Sequence, residues 1–321
     1  MRILFITSTR IGDAVLSSGL LAHLIARHPG ARVTIACGAA PAPLFAAVPG
    51  LERLIVLNKA PLAGHWLRLW GAALPYRWHT IVDLRRTALA WMVLAGRRHR
   101  LARERPGLHK VRQYARLLGL EAEQAAPHIW MNAAHMAAAR QRVPDGPPVL
   151  ALGPAANWPG KEWPAERFAA LAEHLTGTKG PLAGARLAVF AGPGERGRAR
   201  PVLEVVPESR RIDLTDTIDL PIAYACLARS SLFVGNDSGL MHLAAAAGTP
   251  TLGLFGPSRD EHYAPWGEAA AVIRTPQSYD ELVSTPGYDH RTTGTLMDGL
   301  SVEAAAAAAE ALLKRVAARA A

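Results

Sequence analysis

The feature that most constrains this chain is a repeated alternation of short apolar runs with longer helical segments. Each strand-like run is rich in aliphatic and β-branched residues and is followed by a turn and then by helical spacing. Strands that alternate with helices form parallel sheets through right-handed crossovers. The sequence therefore predicts an α/β fold, and its 321 residues suffice for two domains.

The predicted elements fall into two groups of similar pattern. In the first group we expect a helix at 13–27 and strands at 3–7, 32–37, 54–57 and 80–84. In the second group we expect strands at 149–152, 186–191, 232–235 and 251–255, and helices at 165–174, 221–228, 240–247 and 302–320. The apolar stretch at 87–96 is only ten residues long, which favours a core or interfacial helix over a membrane span.

A segment that cannot continue a helix separates the two groups. Residues 143–148 contain three prolines and a glycine, which is typical of a linker. We predict an N-terminal domain at 1–146 and a C-terminal domain at 147–321, whose last helix could pack back on the first domain. Two doubly wound, Rossmann-like domains facing across a cleft would bind ligands beyond the carboxyl ends of their strands.

Charge and cysteine content limit the class of protein. The formal net charge is +10, which favours an anionic partner, although an Arg-rich, Ala-rich genome would give the same balance. The two cysteines, Cys37 and Cys226, lie far apart in apolar stretches and are expected to be buried free thiols in a reducing cytosol. The chain opens with a strand pattern and not with a signal peptide, so we predict a cytoplasmic protein.

The most informative segment lies in the second half. Asp237-Ser238-Gly239 follows a predicted strand and begins a predicted helix, where free N–H groups and the helix dipole attract anions. A diphosphate fits such a site, and His242 lies one turn further on, on the same face as Ser238. The alternative is a simple capping motif, with His242 packed in the core.

Residues 236–258 resemble the signature of glycosyltransferase family 9, the heptosyltransferases. They contain Asp-Ser-Gly, a following His, a small-residue helix, Gly-Thr-Pro-Thr and a Phe-Gly-Pro-Ser turn. Three further elements are similar to those of the family and occur in the same order: Arg10-Ile11-Gly12-Asp13, Lys161-Glu162-Trp163-Pro164 and Gly192-Pro193-Gly194-Glu195. The resemblance implies a GT-B fold, an ADP-heptose donor bound mainly by the second domain, and inversion at the anomeric carbon.

This resemblance assigns the donor side. A leaving diphosphate needs positive charge, and the chain lacks the Asp-x-Asp pair of many metal-dependent glycosyltransferases. We therefore expect a metal-independent enzyme without a cofactor, in which ADP-heptose enters as donor substrate. Lys161 would supply the cation, unless it is a solvated loop lysine. The expected donor-binding residues are Asn157, Lys161, Glu195, Asp237, Ser238, Gly239 and His242.

Two of these donor assignments have weaknesses in the sequence. Glu195 could accept hydrogen bonds from ribose hydroxyls, but it could equally be a helix-start glutamate. Ala155 and Ala156 stand just before Asn157, where the family often has hydroxyl residues. Some of the family's phosphate contacts are therefore in doubt here.

The acceptor side is expected in the first domain. An inverting enzyme needs one general base, and the resemblance places the family's catalytic aspartate at Asp13, which could otherwise merely cap the first helix. The inner core of lipopolysaccharide is acidic, so basic residues could hold such a glycolipid at the cytoplasmic face of the inner membrane, unless they form a solvated loop. The candidates are Arg10, Arg85, Arg97, Arg98 and Arg100.

Alternatives from other classes stay open at this point. A GT-B enzyme with another nucleotide-sugar or acceptor, or a nucleotide-sugar epimerase, would share the fold. A nucleic-acid-binding protein is not expected, because the chain has no zinc finger, RNP-like aromatic motif or basic heptad helix. A non-catalytic glycolipid-binding relative is disfavoured because Asp13, Lys161 and His242 are all present.

Overall fold

The computed structural model describes residues 1–58, 60–102, 106–216, 219–285, 287–289 and 292–320. The chain divides into two compact units, Met1–Asn132 and Ala133–Ala321. Each unit has its own parallel sheet, so the predicted α/β fold of two doubly wound domains is confirmed. No helix within these described ranges is long and apolar enough to cross a membrane.

The first unit is built on a parallel sheet of five strands among its described residues. The strands are β1 (Arg2–Ile6), β2 (Arg32–Cys37), β3 (Leu51–Val56), β4 (Trp78–Asp83) and β5 (Ala95–Arg100). The helices are α1 (Ile11–Arg27), α2 (Gly64–Ala73), α3 (Leu89–Met92) and α4 (Lys110–Leu117). The order across the sheet is β3-β2-β1-β4-β5. Successive strands are therefore added on one side of β1 up to β3 and on its other side from β4 onwards, and the strand order reverses between β1 and β4.

The second unit has six parallel strands within the described ranges. The strands are β6 (Val149–Gly153), β7 (Arg186–Ala191), β8 (Arg211–Thr215), β9 (Leu232–Asn236), β10 (Thr251–Phe255) and β11 (Ala270–Arg274). The helices are α5 (Ala133–Arg142), α6 (Ala165–Thr176), α7 (Arg196–Leu203), α8 (Leu220–Leu227), α9 (Gly239–Ala246), α10 (Asp260–Tyr263), α11 (Tyr279–Val283) and α12 (Val302–Ala320). The order is β11-β10-β9-β6-β7-β8, which reverses between β6 and β9.

The sequence predicts all of the central strands, and the strands that it misses, β5, β8 and β11, lie at sheet edges. Every residue of β6, β9 and β10 is buried, because helices cover both faces of a parallel sheet and leave uniformly apolar runs. By contrast, β5 reads Ala-Gly-Arg-Arg-His-Arg and is only partly buried. The expected helix over 87–96 is therefore wrong for most of its length, since only Leu89–Met92 is helical.

The proline-rich segment begins the second sheet instead of dividing the compact units. Helix α5 precedes it and packs on α8 of the second unit. Within the segment, the Val143 carbonyl accepts from Arg229 Nε at 2.5 Å, and Asp145 pairs with the same guanidinium. The contact boundary at 132/133 thus lies before the predicted boundary at 146/147, because α5 finds its apolar partner in α8.

The C-terminal helix packs within its own unit. Ala305, Ala309 and Leu312 on α12 are fully or almost fully buried in the core of the second unit, against α6 and β11. The expectation that this helix could also pack back on the first domain stays a prediction. Both cysteines are buried free thiols, as predicted, and burial raises the pKa of Cys37 to about 12 and that of Cys226 to about 11.

The two strand-order reversals fix where ligands can enter. In a doubly wound sheet the loops on either side of the reversal diverge to opposite faces, which leaves a crevice beyond the carboxyl ends of the two strands. In the first unit this edge carries the loops after β1 and β4. In the second unit it carries the loops after β6 and β9, and these contain the conspicuous motifs of the sequence.

Two helical glycines offer a matched test of packing. A Cβ on Gly19 in α1 would lie 2.0 Å from the Ala126 carbonyl oxygen, whereas a Cβ on Gly71 in α2 would meet nothing within 4 Å. We expect Gly19→Ala to destabilise the protein by about 1–3 kcal/mol through overpacking. Gly71→Ala should stabilise it by up to about 1 kcal/mol through helix propensity. Urea unfolding of both variants measures the difference, and equal effects would contradict the close α1 packing.

Candidate active site

A lysine and an aspartate meet at the carboxyl ends of β6 and β9, the strands at the reversal of the second sheet. Lys161 lies in the loop after β6, and its Nζ is 2.5 Å from Oδ2 of Asp237, which directly follows β9. The Asp237 side chain is 7% exposed and that of Lys161 is 21% exposed. Asp237 thus holds the ammonium group at the edge of the crevice while part of the lysine stays accessible.

The turn before α9 is not a side-chain cap. Ser238 occupies the N-cap position, but its side chain makes no capping hydrogen bond, and its buried Oγ finds no partner among the described residues. The first N–H groups of a helix have no acceptor within the helix. Capping by Ser238, the alternative interpretation of this motif, is therefore wrong, and the turn presents donors at the same edge as Lys161.

His242 stands behind the aspartate. It is 4% exposed, and its Nε2 lies 3.9 Å from Oδ1 of Asp237. Asp237 is therefore flanked by Lys161 on one carboxylate oxygen and approached by His242 on the other. This arrangement brings together three of the residues predicted from the sequence and orients the carboxylate that holds the lysine.

A buried asparagine connects the two loops, and its role was not foreseen from the sequence. Asn236, the last residue of β9, is 0% exposed. Its Oδ1 accepts from the Trp163 backbone N–H at 3.1 Å, and its Nδ2 donates to the Pro154 carbonyl at 2.8 Å. One side chain thus pins both ends of the Lys161 loop to the strand that carries Asp237. Its place beside Asp237 in the motif was the only available signal.

The Lys161 loop is also fastened from the C-terminal side. Trp163 is 1% exposed, and its indole N–H donates to the Leu300 carbonyl at 2.9 Å. The Thr295 hydroxyl donates to the Glu162 carbonyl at 2.6 Å, and the Leu296 N–H donates to the Gly160 carbonyl at 3.0 Å. The loop is ordered, so the alternative of a freely solvated Lys161 is wrong.

Glu162 ties the same loop to α7. Its Oε1 accepts from the Ala156 N–H at 2.8 Å and pairs with Arg198, which is also 3.2 Å from Oε1 of Glu195. Burial raises the pKa of the Glu162 carboxyl above its usual 4.5, against the opposing effect of these partners. Glu162, next to Lys161 in sequence, is a positioning group that sequence reasoning did not single out.

Glu195 and Asn157 lie at the same edge with different surroundings. Glu195 precedes α7, and its Oε2 accepts from the Gly192 N–H at 2.8 Å, so the turn after β7 is closed by this side chain. The contacts of a helix-start glutamate are therefore present, and a ribose role for Glu195 stays a prediction. Asn157 is exposed in the loop after β6, close in sequence to Lys161.

A second serine adds a hydroxyl at the neighbouring strand. Ser258 follows β10, which pairs with β9, and is 7% exposed. Within the described part of the chain its Oγ has no hydrogen-bond partner, as is also true of Ser238 Oγ. Buried hydroxyls normally find partners, and those that do not need an explanation such as a ligand. The Gly-Pro-Ser turn of the sequence was the signal for this residue.

In the first unit, Asp13 lies in the first turn of α1. Arg10 occupies the N-cap position without a side-chain cap, and the Asp13 carboxylate accepts from the Ser8 hydroxyl at 3.3 Å. The Arg10 N–H in turn donates to Ser8 Oγ at 3.0 Å. Asp13 is therefore not the N-cap of this helix, and it is half-buried at the carboxyl end of the central strand β1.

The loop after β4 brings an arginine to the same edge. Asp83 is fully buried and accepts from the backbone N–H groups of Arg85 and Thr87 at 2.9 and 2.7 Å. The Arg85 guanidinium then reaches Thr9, with NH1 3.3 Å from its hydroxyl. Burial raises the pKa of Asp83, opposed by these hydrogen bonds. At the carboxyl edge of this sheet, Arg85 thus lies beside the loop that carries Arg10 and leads into the first turn of α1, where Asp13 lies.

The remaining candidate arginines lie along β5 and differ in how close they are to the carboxyl edge of the sheet. Arg100 ends the strand at the carboxyl edge and donates to the Arg86 carbonyl at 2.6 Å. Arg97 is exposed and lies three residues earlier, roughly 10 Å from that edge. Arg98 donates to the carbonyls of Ala90, Val93 and Ala95, so its guanidinium holds the turn between α3 and β5.

Two doubly wound α/β units, each with its motifs at the carboxyl ends of its strands, define the GT-B class of glycosyltransferase fold. Residues 81–286 match the profile of glycosyltransferase family 9 (heptosyltransferase). The chain belongs to this family. Membership favours the heptosyltransferase interpretation over an epimerase or a nucleic-acid-binding protein.

Individual relatives agree with the family assignment. Lipopolysaccharide heptosyltransferase 2 of Escherichia coli K12 is 23% identical over 326 residues, covering 88% of this chain and 90% of that protein. Lipooligosaccharide heptosyltransferase 2 of Haemophilus influenzae is 31% identical over 131 residues, which cover 40% of this chain and 36% of that protein. A family 9 glycosyltransferase structure from Veillonella parvula superposes with a TM-score of 0.79 at 24% identity, covering 98% of this chain and 97% of that one.

The Asn236 bridge can be tested against a buried hydrogen bond at the opposite edge of the same sheet. Asn236→Ala leaves the Pro154 carbonyl and the Trp163 N–H unpaired, which should cost about 1–3 kcal/mol for each group and release the Lys161 loop. Thr249→Val removes the 2.7 Å bond to the Leu227 carbonyl before β10. Both variants should lower the free energy of unfolding, but only Asn236→Ala should weaken nucleotide binding, as measured by calorimetry. Equal binding by the two would contradict the bridging role.

Proposed function

We propose that this protein is an inverting heptosyltransferase that moves a heptose from ADP-heptose to an acceptor in the lipopolysaccharide inner core. The observation that carries the proposal is the convergence of Lys161, Asp237 and the N-terminus of α9 at the carboxyl ends of β6 and β9. Family membership supports the type of transfer, and the E. coli relative, a lipopolysaccharide heptosyltransferase, supports the acceptor class because it aligns along nearly its whole length.

The donor half of the proposal concerns the leaving diphosphate. As the glycosidic bond to the donor phosphate breaks, negative charge grows on the diphosphate, and fixed positive groups lower that barrier. Lys161 supplies a full charge, and the α9 N-terminus supplies N–H donors and the positive end of its dipole. The buried hydroxyls of Ser238 and Ser258 offer further donors at the same edge. These groups support metal-independent transfer with no cofactor.

The acceptor half concerns the nucleophile. The acceptor hydroxyl must lose a proton as it attacks the anomeric carbon, and Asp13 is the proposed general base. Ser8 donates to its Oδ2 and so orients the carboxylate. Arg10, Arg85 and Arg100 border the same edge of the first sheet and would bind acidic groups of the acceptor. We place the enzyme in the cytoplasm, peripheral to the inner membrane.

The base and the cation are separable by mutation. Asp13→Asn should lower kcat about 10²–10⁴-fold while ADP still binds, since only the proton acceptor is lost. Lys161→Met should weaken ADP binding as well as turnover, because the charge facing the diphosphate is lost. Glu123→Gln and Lys179→Met change exposed charges of the same types and serve as controls. Loss of ADP binding by Asp13→Asn would exclude its assignment as a base alone.

The donor base can be identified by ligand-dependent melting without added metal and in the presence of a chelator. ADP should raise Tm more than UDP or GDP do, and mass analysis should then find the heptose in the product. A larger stabilisation by UDP or GDP would favour another nucleotide-sugar. A response to ADP that disappears with the chelator would contradict metal-independent binding.

A further inference from the structure

The most exposed large apolar side chains of the described residues lie in one stretch of the first unit. Leu62 is 99% exposed, Leu67 66%, Trp91 68%, Met92 54% and Leu94 70%. Isolated exposed apolar residues are ordinary, but several of them in one region mark an interaction surface. This stretch therefore needs an explanation that the chemistry of the site does not provide.

The local core is already complete without these side chains. On α3 and the turn after it, Leu89, Ala90 and Val93 point inward and are at most 5% exposed. Trp91 and Leu94 alternate with them and point outward. In α2, Leu69 and Ala73 are buried in the same core cluster, which leaves Leu67 outside. The outward residues are therefore not displaced core residues.

The two helices that carry these residues lie side by side. Helix α2 packs on α3, and the Trp70 indole N–H donates to the Met92 carbonyl at 3.3 Å. The turn that precedes α2 carries Leu62. We call this region, comprising Leu62, Leu67, Trp91, Met92 and Leu94, the α2–α3 surface.

The charge around the α2–α3 surface has one sign. Residues 60–100 contain seven arginines and a single acidic residue, Asp83, which is fully buried. Arg68 and Arg77 are exposed. Tryptophans of the region pair with arginines, as in Trp91, whose ring centre lies 5.9 Å from the Arg98 guanidinium carbon. Exposed leucine and tryptophan side chains surrounded by arginines are the combination that binds the interface of an anionic lipid bilayer.

We propose that the α2–α3 surface docks the protein on an anionic phospholipid bilayer. The proposal rests on the proposed function, because a glycolipid acceptor is held in a membrane. A second copy of the chain is disfavoured as the occupant, since it would bring two sets of arginines together. Nucleic acid would satisfy the arginines but would leave the fully exposed leucine and the adjacent aliphatic tips without a partner.

Vesicle flotation of the full chain tests this docking without donor or acceptor present. We expect binding to equimolar phosphatidylcholine–phosphatidylglycerol vesicles, little binding to phosphatidylcholine alone, and release by salt. Leu62→Ser/Leu67→Ser/Leu94→Ser should weaken binding about tenfold or more through lost apolar burial. Arg68→Gln/Arg77→Gln should weaken it by about fivefold for each charge. Met136→Ser, which alters a 44% exposed side chain in the second unit, should change nothing.

Four outcomes would overturn the docking proposal. The first is equal binding to neutral and anionic vesicles, and the second is unchanged binding by the triple serine variant with an unchanged Tm. The third is a wild-type dimer in light scattering that becomes a monomer in the triple variant. The fourth is binding to an oligonucleotide in preference to vesicles. Transfer to a delipidated, water-soluble core oligosaccharide is measured separately. The triple variant should retain it, and its absence in the wild type would count against the proposed function and not against docking.

Discussion

The arrangement of the loops after β6 and β9 depends on the buried amide of Asn236. Parallel strands place the loops after β6 and β9 at one edge, but sheet geometry alone does not set the distance between a loop lysine and a turn aspartate. By accepting from Trp163 and donating to Pro154, the amide fixes both ends of the Lys161 loop to β9. A buried amide satisfied on both sides tolerates little displacement, because each lost bond leaves an unpaired group in the interior. The Lys161–Asp237 contact follows from this constraint.

Much of the fold was predictable because the central strands of a parallel sheet consist of continuous apolar runs in the sequence. The central strands follow from that pattern, as do helices α1, α6, α8, α9 and α12 and the positions of Asp13, Lys161 and Asp237 after strand ends. The edge strands β5, β8 and β11 escaped prediction because one side of an edge strand is solvated. In β5 this allows Arg97, Arg98 and Arg100 in a strand that no hydrophobic pattern marks.

The parts of the site that the sequence could not supply depend on contacts between distant residues. Glu162 looks like a variable position between Lys161 and Trp163. Its carboxylate nevertheless accepts hydrogen bonds from the Ala156 N–H, in the loop after β6, and from Arg198, on α7. The arginines of one basic stretch also differ in their contacts and in their distance from the site. Arg98 holds backbone carbonyls and Arg100 lies at the carboxyl edge, a distinction that depends on the direction of each side chain along the strand.

The fastening of the Lys161 loop by residues near the C-terminus has a consequence for synthesis. The Trp163 indole bonds to Leu300, 137 positions later, and the Gly160 carbonyl bonds to Leu296. While the ribosome is still making the last part of the chain, the nascent loop lacks these partners. The Lys161 loop therefore gains the last of its supports only when translation has nearly finished, so a chain truncated before Thr295 would carry the motif without them.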